Sequence, residues 1–290
     1  RHVIGLLASI VDGLLVGSVY GLAAMGITLI WGVMDILNLT HAALIVAGMF
    51  ALYFLTALGV PAYAALPPVL VVGLAVGILL YWIAVHRMVG QPPLMSLLST
   101  FAVNLVLIGL GTALWGTVLF NVQVSLPGFT LGRYTFPGTH LMAAALTAVI
   151  TGLLYLFLYR TRIGKSVRAV AANREAAELV GIPTTQVLSL AFGLGVALAC
   201  ISGTLIATMF PFTVLAGDAY QLKSFVVTVL GGVGNPTGAL IGGLALGLLE
   251  GLLTPFVPVS WTLVIEFVLF VVVLIAVPGG LLTLARSRRT

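Results

Sequence analysis

An all-α, polytopic integral membrane bundle of about eight transmembrane helices, with a broken or re-entrant segment near 224–252, is the fold that three observations predict. Hydrophobic residues make up 61% of the 290 positions and charged ones only 7%, against roughly 25% charged in a soluble domain. Apolar runs of roughly 17 to 25 residues, each able to span about 30 Å of hydrocarbon as a helix, recur along the whole chain. Basic residues gather beside these runs instead of spreading over the sequence. Such a chain cannot clothe a water-facing surface, which argues against a soluble enzyme. The net charge of +5 is explained by orientation in lipid, and no nucleic-acid partner is expected.

The expected helices are 5–33, 41–58, 66–86, 94–116, 139–159, 186–210, 219–253 with a break, and 260–284. In the first, Asp12 interrupts the apolar run and no short hydrophobic region ends in a small-residue cleavage site, so a retained span is expected. The stretch "GVMDILNLT", Gly32 to Thr40, precedes the second as either a turn or a break within the membrane. Gly59 to Ala65 and Thr117 to Gly138 are expected on one face, the latter with Arg133 as its single cation. On the other face lie His86 and Arg87, then Arg160, Arg162, Lys165, Arg168 and Arg174, and finally Arg286, Arg288 and Arg289. The positive-inside rule makes that face, with the C-terminus, cytoplasmic. The side of the N-terminus depends on how Gly32 to Thr40 is read. Cys200, the only cysteine, lies within the sixth span and reads as small packing. Gly17 with Gly21, Gly73 with Gly77, and Ala239, Gly243, Gly247 and Gly251 recur every four residues, a spacing that lets helix backbones approach.

Polar chemistry enters the apolar chain at three places. In "MDILNLTHAALIVAG", Asp35, Asn38, Thr40 and His41 open an apolar helix. A charged group at a helix centre costs about 2.5–3.5 kcal/mol on insertion scales, so these side chains face protein, water or headgroups. Asn38 or Thr40 caps the helix, or the group lines a translocation path. In "SFVVTVLGGVGNPTGALIGGLALGLLEGL", Gly231, Gly232, Gly234, Asn235 and Pro236 stop a continuous helix. The result is either a functional break of the kind transporters use or a turn between two short helices, with Lys223 and Glu250 near the ends of the segment. In 160–186, Asn173 caps a short helix from Arg174 to Val180, Gly181 takes the left-handed C-terminal position, and Pro183 prevents continuation. Ala176, Ala177, Leu179 and Val180 give that helix an apolar side to dock on a cytoplasmic partner, or it lies on lipid with Arg174 paired to Glu178.

Other chemistry is poorly supported. Gly164, Lys165 and Ser166 end like a phosphate-binding loop, but the earlier glycine would fall at Tyr159 and no strand precedes it. Glu250 and Glu266 sit in apolar helices without a second intramembrane base near them in sequence, which leaves a proton-relay reading weak. Asp35 and His41 are six residues apart, so one helical face would not hold them as an acid–base pair. No catalytic residue and no metal site is assigned.

The quoted motifs resemble permease subunits of bacterial importers driven by an ATP-binding cassette, of the branched-chain amino-acid type. The resemblance runs from "GLLVGSVYGLAAMGITLIWGVMDILNLTHA" to "LGGVGNPTGALIGGLALGLLEGL" and is most specific at "RIGKSVRAVAANREAAELVGIPTTQV". Where the family usually reads I-N-F-A-H-G-E, this chain keeps Asn38 and His41 but has Ala42 and Ala43 for the glycine and the acid. The resemblance implies one permease domain, 1–290, in a bacterial inner membrane, with a coupling segment at 160–186. It implies a coupling helix within Lys165 to Ile182 that seats in an ATPase cleft. Gly164, Lys165, Arg168, Asn173, Arg174, Ala177, Glu178 and Gly181 are the coupling candidates. Asp35, Asn38, Thr40, His41, Gly231, Gly232 and Asn235 are the path candidates. Its implied partners are a second, LivM-like permease, two cytoplasmic ATPases that hold ATP and Mg, an external substrate-binding protein and the bilayer, with no cofactor on this chain. The alternatives are importers of urea, amides or aromatic acids, and a secondary transporter that works alone.

Overall fold

The computed structural model describes residues 2–131 and 134–276; Arg133, Arg286, Arg288 and Arg289, used above for orientation, lie outside the described residues. Eleven α-helices follow in order among them: α1 (His2–Met34), α2 (His41–Ala57), α3 (Leu66–Leu80), α4 (Pro93–Trp115), α5 (Gly138–Arg160), α6 (Arg162–Ala172), α7 (Arg174–Leu179), α8 (Thr184–Ala207), α9 (Gly217–Gly231), α10 (Pro236–Leu253) and α11 (Val259–Ala276). Six helices are long and apolar enough to cross a membrane, and two shorter apolar ones, His41–Ala57 and Trp261–Val272, bring the set to eight.

α1 and α8 are buried on nearly all sides and form the centre, while α3, α4 and α5 keep rows of exposed Leu and Val on their outer faces. In lipid both patterns are stable, because apolar tails solvate such rows as well as protein does. Without a hydrophobic force between helices, close approach has to come from small residues. A Cβ on Gly26 would lie 2.6 Å from the Gly195 carbonyl oxygen, and one on Gly195 would lie 2.7 Å from that of Gly26, which locks α1 to α8. Gly48 abuts the Cys200 backbone and Gly73 the Cys200 side chain, in keeping with a packing role for that cysteine. Two of the three predicted glycine sets meet each other: Gly17 and Gly21 of α1, joined by Gly13, which was not predicted, face Gly243, Gly247 and Gly251 of α10.

The two ends of the bundle differ. One carries a small antiparallel hairpin, β1 (Phe129–Leu131) and β2 (Tyr134–Phe136), inside the connection from Thr117 to Gly138. Gly5 at the start of α1 touches Tyr134 there. The opposite, basic end carries α6 and α7, and Gly32 near the end of α1 touches Gly234 between α9 and α10. α1 therefore runs from the hairpin end to the basic end, which resolves the ambiguity at the N-terminus relative to those two landmarks.

Candidate functional site

α1 ends at Met34 and the chain turns back without becoming helical until His41. Asp35 makes the turn with φ +56°, the single positive φ outside glycine among the described residues, a region where Asp is tolerated better than most residues. A Cβ on Gly26 would lie 3.3 Å from His41 Cε1, and Gly26 is about 12 Å of helix from Met34. Residues 35–40 thus climb back into the bundle without helical structure and turn at Leu39 and Thr40 to enter α2. The two readings combine: the chain turns where α1 ends at the basic end, and a non-helical segment then returns into the bundle.

Helix α2 consequently starts inside protein, where its first N–H groups have no intrahelical acceptors. The expected self-capping is not what forms. Asn38 Oδ1 accepts from the Thr40 N–H at 3.0 Å, and the Thr40 hydroxyl donates to the Thr100 carbonyl of α4 at 2.9 Å. The N–H groups of Ala42 and Ala43 are met from other helices, by Gln221 Oε1 of α9 at 2.9 Å and Asn104 Oδ1 of α4 at 3.2 Å. Thr100 Oγ1 also accepts from the Leu39 N–H at 3.2 Å. Asn38 and His41 are completely enclosed, and neither Asn38 Nδ2 nor either His41 ring nitrogen makes a hydrogen bond of ordinary geometry to any partner among the described residues. Asp35, by contrast, is exposed. No three His, Cys, Asp or Glu side chains among the described residues come close enough to hold a metal.

The second polar place is a four-residue turn, 232–235, between α9 and α10. Gly232 and Gly234 have φ +86° and +78°, the region where a Cβ is strained. Asn235 Oδ1 accepts from the Gly238 N–H at 3.3 Å, and Pro236 occupies the first turn of α10, where a missing N–H is tolerated. The turn lies against α5 and α6 at the basic end, in a cavity of about 350 Å³ with Thr28, Tyr159 and Arg168. Gly231 is ten residues from Gln221, about 15 Å along α9, so the structure does not unite the two sets of path candidates in one site.

The basic segment forms two helices, of which α6 was not expected as a separate element. Ile163, Val167 and Val170 repeat at helical spacing; Thr161 Oγ1 accepts from the Gly164 N–H at 3.0 Å, and Gly164, Val167 and Val170 face inward. Arg168 donates to the Leu158 carbonyl at 3.0 Å and lies 4.5 Å over the Tyr159 ring. Lys165 is exposed. The short helix is capped as expected, with Asn173 Oδ1 accepting from the Ala176 N–H at 2.9 Å and Gly181 at φ +81°. Ala177 is buried against the bundle, which removes it from the outward docking face. Leu179 and Val180 are 88% and 77% exposed. Arg174 donates to Glu178 at 3.3 Å and the Thr184 hydroxyl donates to the same carboxylate at 2.6 Å. Those two hydrogen bonds, Thr184 foremost, hold the Glu178 carboxyl below its usual range, so it ties α7 to α8 as an anion at neutral pH.

Gln221, Asn104 and Thr100 escaped the sequence reading. Their only signal is that they are polar residues within apolar spans.

A family model described as branched-chain amino acid transport system / permease component matches residues 9–274. The high-affinity branched-chain amino acid transport system permease protein LivH of Escherichia coli K12 is 28% identical, with 93% of each chain covered. Its counterpart BraD of Pseudomonas aeruginosa is 27% identical over 95% of each. A probable branched-chain amino acid transport permease protein of Methanocaldococcus jannaschii is 26% identical over 90% of this chain and 87% of its own. With the family match extending from the first turns of α1 to the last of α11, the chain belongs to the permease components of branched-chain amino acid transport systems.

Proposed function

We propose that this chain is a transmembrane permease subunit of an ATP-binding-cassette importer, moving branched-chain or related amino acids delivered by a soluble binding protein. Residues 1–290 act as one permease domain, beside a second, LivM-like permease, in a bacterial cytoplasmic membrane. The basic end and the C-terminus face the cytoplasm, where two ATPases bind ATP and Mg; this chain holds no cofactor of its own.

The observation that carries the reading is α7. A six-residue helix, fixed at both ends, presents Leu179 and Val180 to the surroundings at the basic end. Burying one such side chain is worth about 1.5–3 kcal/mol, a reason for a partner to cover the pair. Glu178 fastens the same helix to Thr184 of α8, so a push on α7 reaches one of the two central helices. Alternating access then follows from rocking of the bundle.

Replacing Leu179 and Val180 together by Asp is expected to cut uptake and solute-stimulated ATP hydrolysis by about tenfold or more in the reconstituted importer, equivalent to at least about 1.4 kcal/mol. The permease level in the membrane should be unaltered. Unchanged uptake would sink the coupling proposal and favour a carrier that works alone.

The enclosed break is the proposed gate. Asn38, Thr40 and His41 are sealed in this conformation, so single cysteines at these positions are expected to react with small hydrophilic maleimides only during ATP-driven turnover. Protection in every state would leave the break a purely structural element.

A further inference from the structure

Lys223 of α9 is 9% exposed, yet it projects into the space between α1, α10 and α11. Its ammonium donates to both carboxylate oxygens of Glu266 of α11 at 3.1 Å and to Glu250 of α10. It lies 4.9 Å over the Tyr20 ring of α1. These partners are 27 and 43 residues from Lys223 in the chain, which is why neither glutamate reads as paired from the sequence. Lys223, Glu250 and Tyr20, with Glu266 behind them, form one wall of a cavity of about 500 Å³, a size typical of small-molecule sites.

Carboxylates outnumber amino groups around this cavity. Glu250 and Glu266 share one ammonium, and a third carboxylate, Asp12, lines the same space with its Oδ1 2.6 Å from His140 Nδ1. The other ionisable groups facing it are Tyr20 and Tyr220. Side-chain exposure falls from 41% at Asp12 through 17% at Glu250 and 11% at Lys223 to 1% at Glu266, a polar gradient leading inward. Tyr20 is only 7% exposed, lines the cavity, and its hydroxyl makes no hydrogen bond to any described residue. An unmatched negative charge within a bundle is costly, and an arriving cation relieves it. The remaining wall is apolar, with Val16, Phe210 and Leu263.

We infer that this cavity is a binding site for an ammonium group with an aliphatic body, held by Glu250, Asp12 and the Tyr20 hydroxyl. The ammonium is that of the amino-acid solute, or its place is taken by a small free monovalent cation. The assignment to the solute rests on the transport reading above; the preference for positive charge does not. α9 joins the two places, since Gln221 and Lys223 are about 200° apart around the helix. One side holds the start of α2 and the other the ionic cavity.

Thr254 lines the cavity and Cys200, the single native thiol, is buried, so Thr254→Cys in the intact importer gives a local reporter. A trimethylammonium methanethiosulfonate is expected to react at least about tenfold faster, relative to the sulfonate reagent, than it does after Glu250→Gln and Asp12→Asn; a tenfold ratio corresponds to about 1.4 kcal/mol. Isopentylamine should slow labelling and 4-methylpentanoate should not. Added protection by leucine identifies the solute as the ligand; protection by sodium chloride over choline chloride, without leucine, identifies a free cation. A rate ratio indifferent to both substitutions, or protection by the acid and not the amine, overturns the site. Asp12→Asn alone, at the exposed mouth, tests the preference even if the Glu250 variant fails to accumulate. Labelling needs no uptake, so failure of the transport reading leaves the result interpretable.

Discussion

Replacing Gly247 by valine is expected to remove nearly all folded permease from the membrane. A Cβ at this position would lie 2.5 Å from the Gly17 Cα and would also strike the Gly13 carbonyl. Both obstacles are backbone, so no rotamer change relieves them and α1 must move away from α10. Overpacking in a well-packed interior already costs about 1–3 kcal/mol, and more where nothing can give. Here the displacement also loosens Gly243 against Gly21 and Gly251 against Ile10 along the same seam. Gly152→Val is the control: it lies within α5, and a Cβ there meets nothing within 4 Å. Fluorescence-detected size exclusion of the tagged chain, extracted in mild detergent, should give a monodisperse peak for the Gly152 variant and little for the Gly247 variant. Equal peaks would show that the seam does not hold the bundle.

That seam illustrates what can be read in advance. A four-residue glycine period is a property of one helix, so Gly17 with Gly21 and the series from Ala239 to Gly251 are visible in the sequence, as are the apolar spans and the Asn173 cap. The pairing of one glycine face with the other links positions more than 200 residues apart, and no local pattern encodes it. Gly13 was missed for the same reason, being small and four residues before Gly17 but meaningful only once α10 lies across it. In the basic segment the stripe of Gly164, Val167 and Val170 was present, but the surrounding arginines drew attention to charge instead of to this inward face.

The polar sites divide along the same line. The sequence marks Asn38, Thr40 and His41 as expensive guests in an apolar span, and the structure encloses them. It does not mark which groups make that expense tolerable. Asn104 is 61 residues from the amide it serves and Gln221 is 179 residues away. Lys223 similarly looked like a boundary residue, because a lone lysine near the start of an apolar run usually marks the end of a span. Three-dimensional packing instead gives it two carboxylates.

Asn104→Ala combined with Gln221→Ala is expected to destabilise the purified permease by about 2–6 kcal/mol, since each leaves one N–H at the start of α2 unpaired in a water-poor interior at about 1–3 kcal/mol. The two substitutions lie on different helices but serve adjacent amides, so their effects should couple and exceed or fall short of simple addition. Gln221→Glu keeps an acceptor next to the positive end of the α2 dipole and should retain more stability than Gln221→Ala. Thermal unfolding in detergent, followed by labelling of the buried Cys200, reads all three variants on one scale. The functional consequence is separable: a loosened α2 start should let a cysteine at position 38 react without ATP, because the enclosure of the break depends on the same two hydrogen bonds. If the double variant unfolds within about 0.5 kcal/mol of the parent, the range of an ordinary surface change, then α4 and α9 do not hold the break closed. The link from α9 to the gate would then have to run through Gly217, whose backbone packs on Ala42.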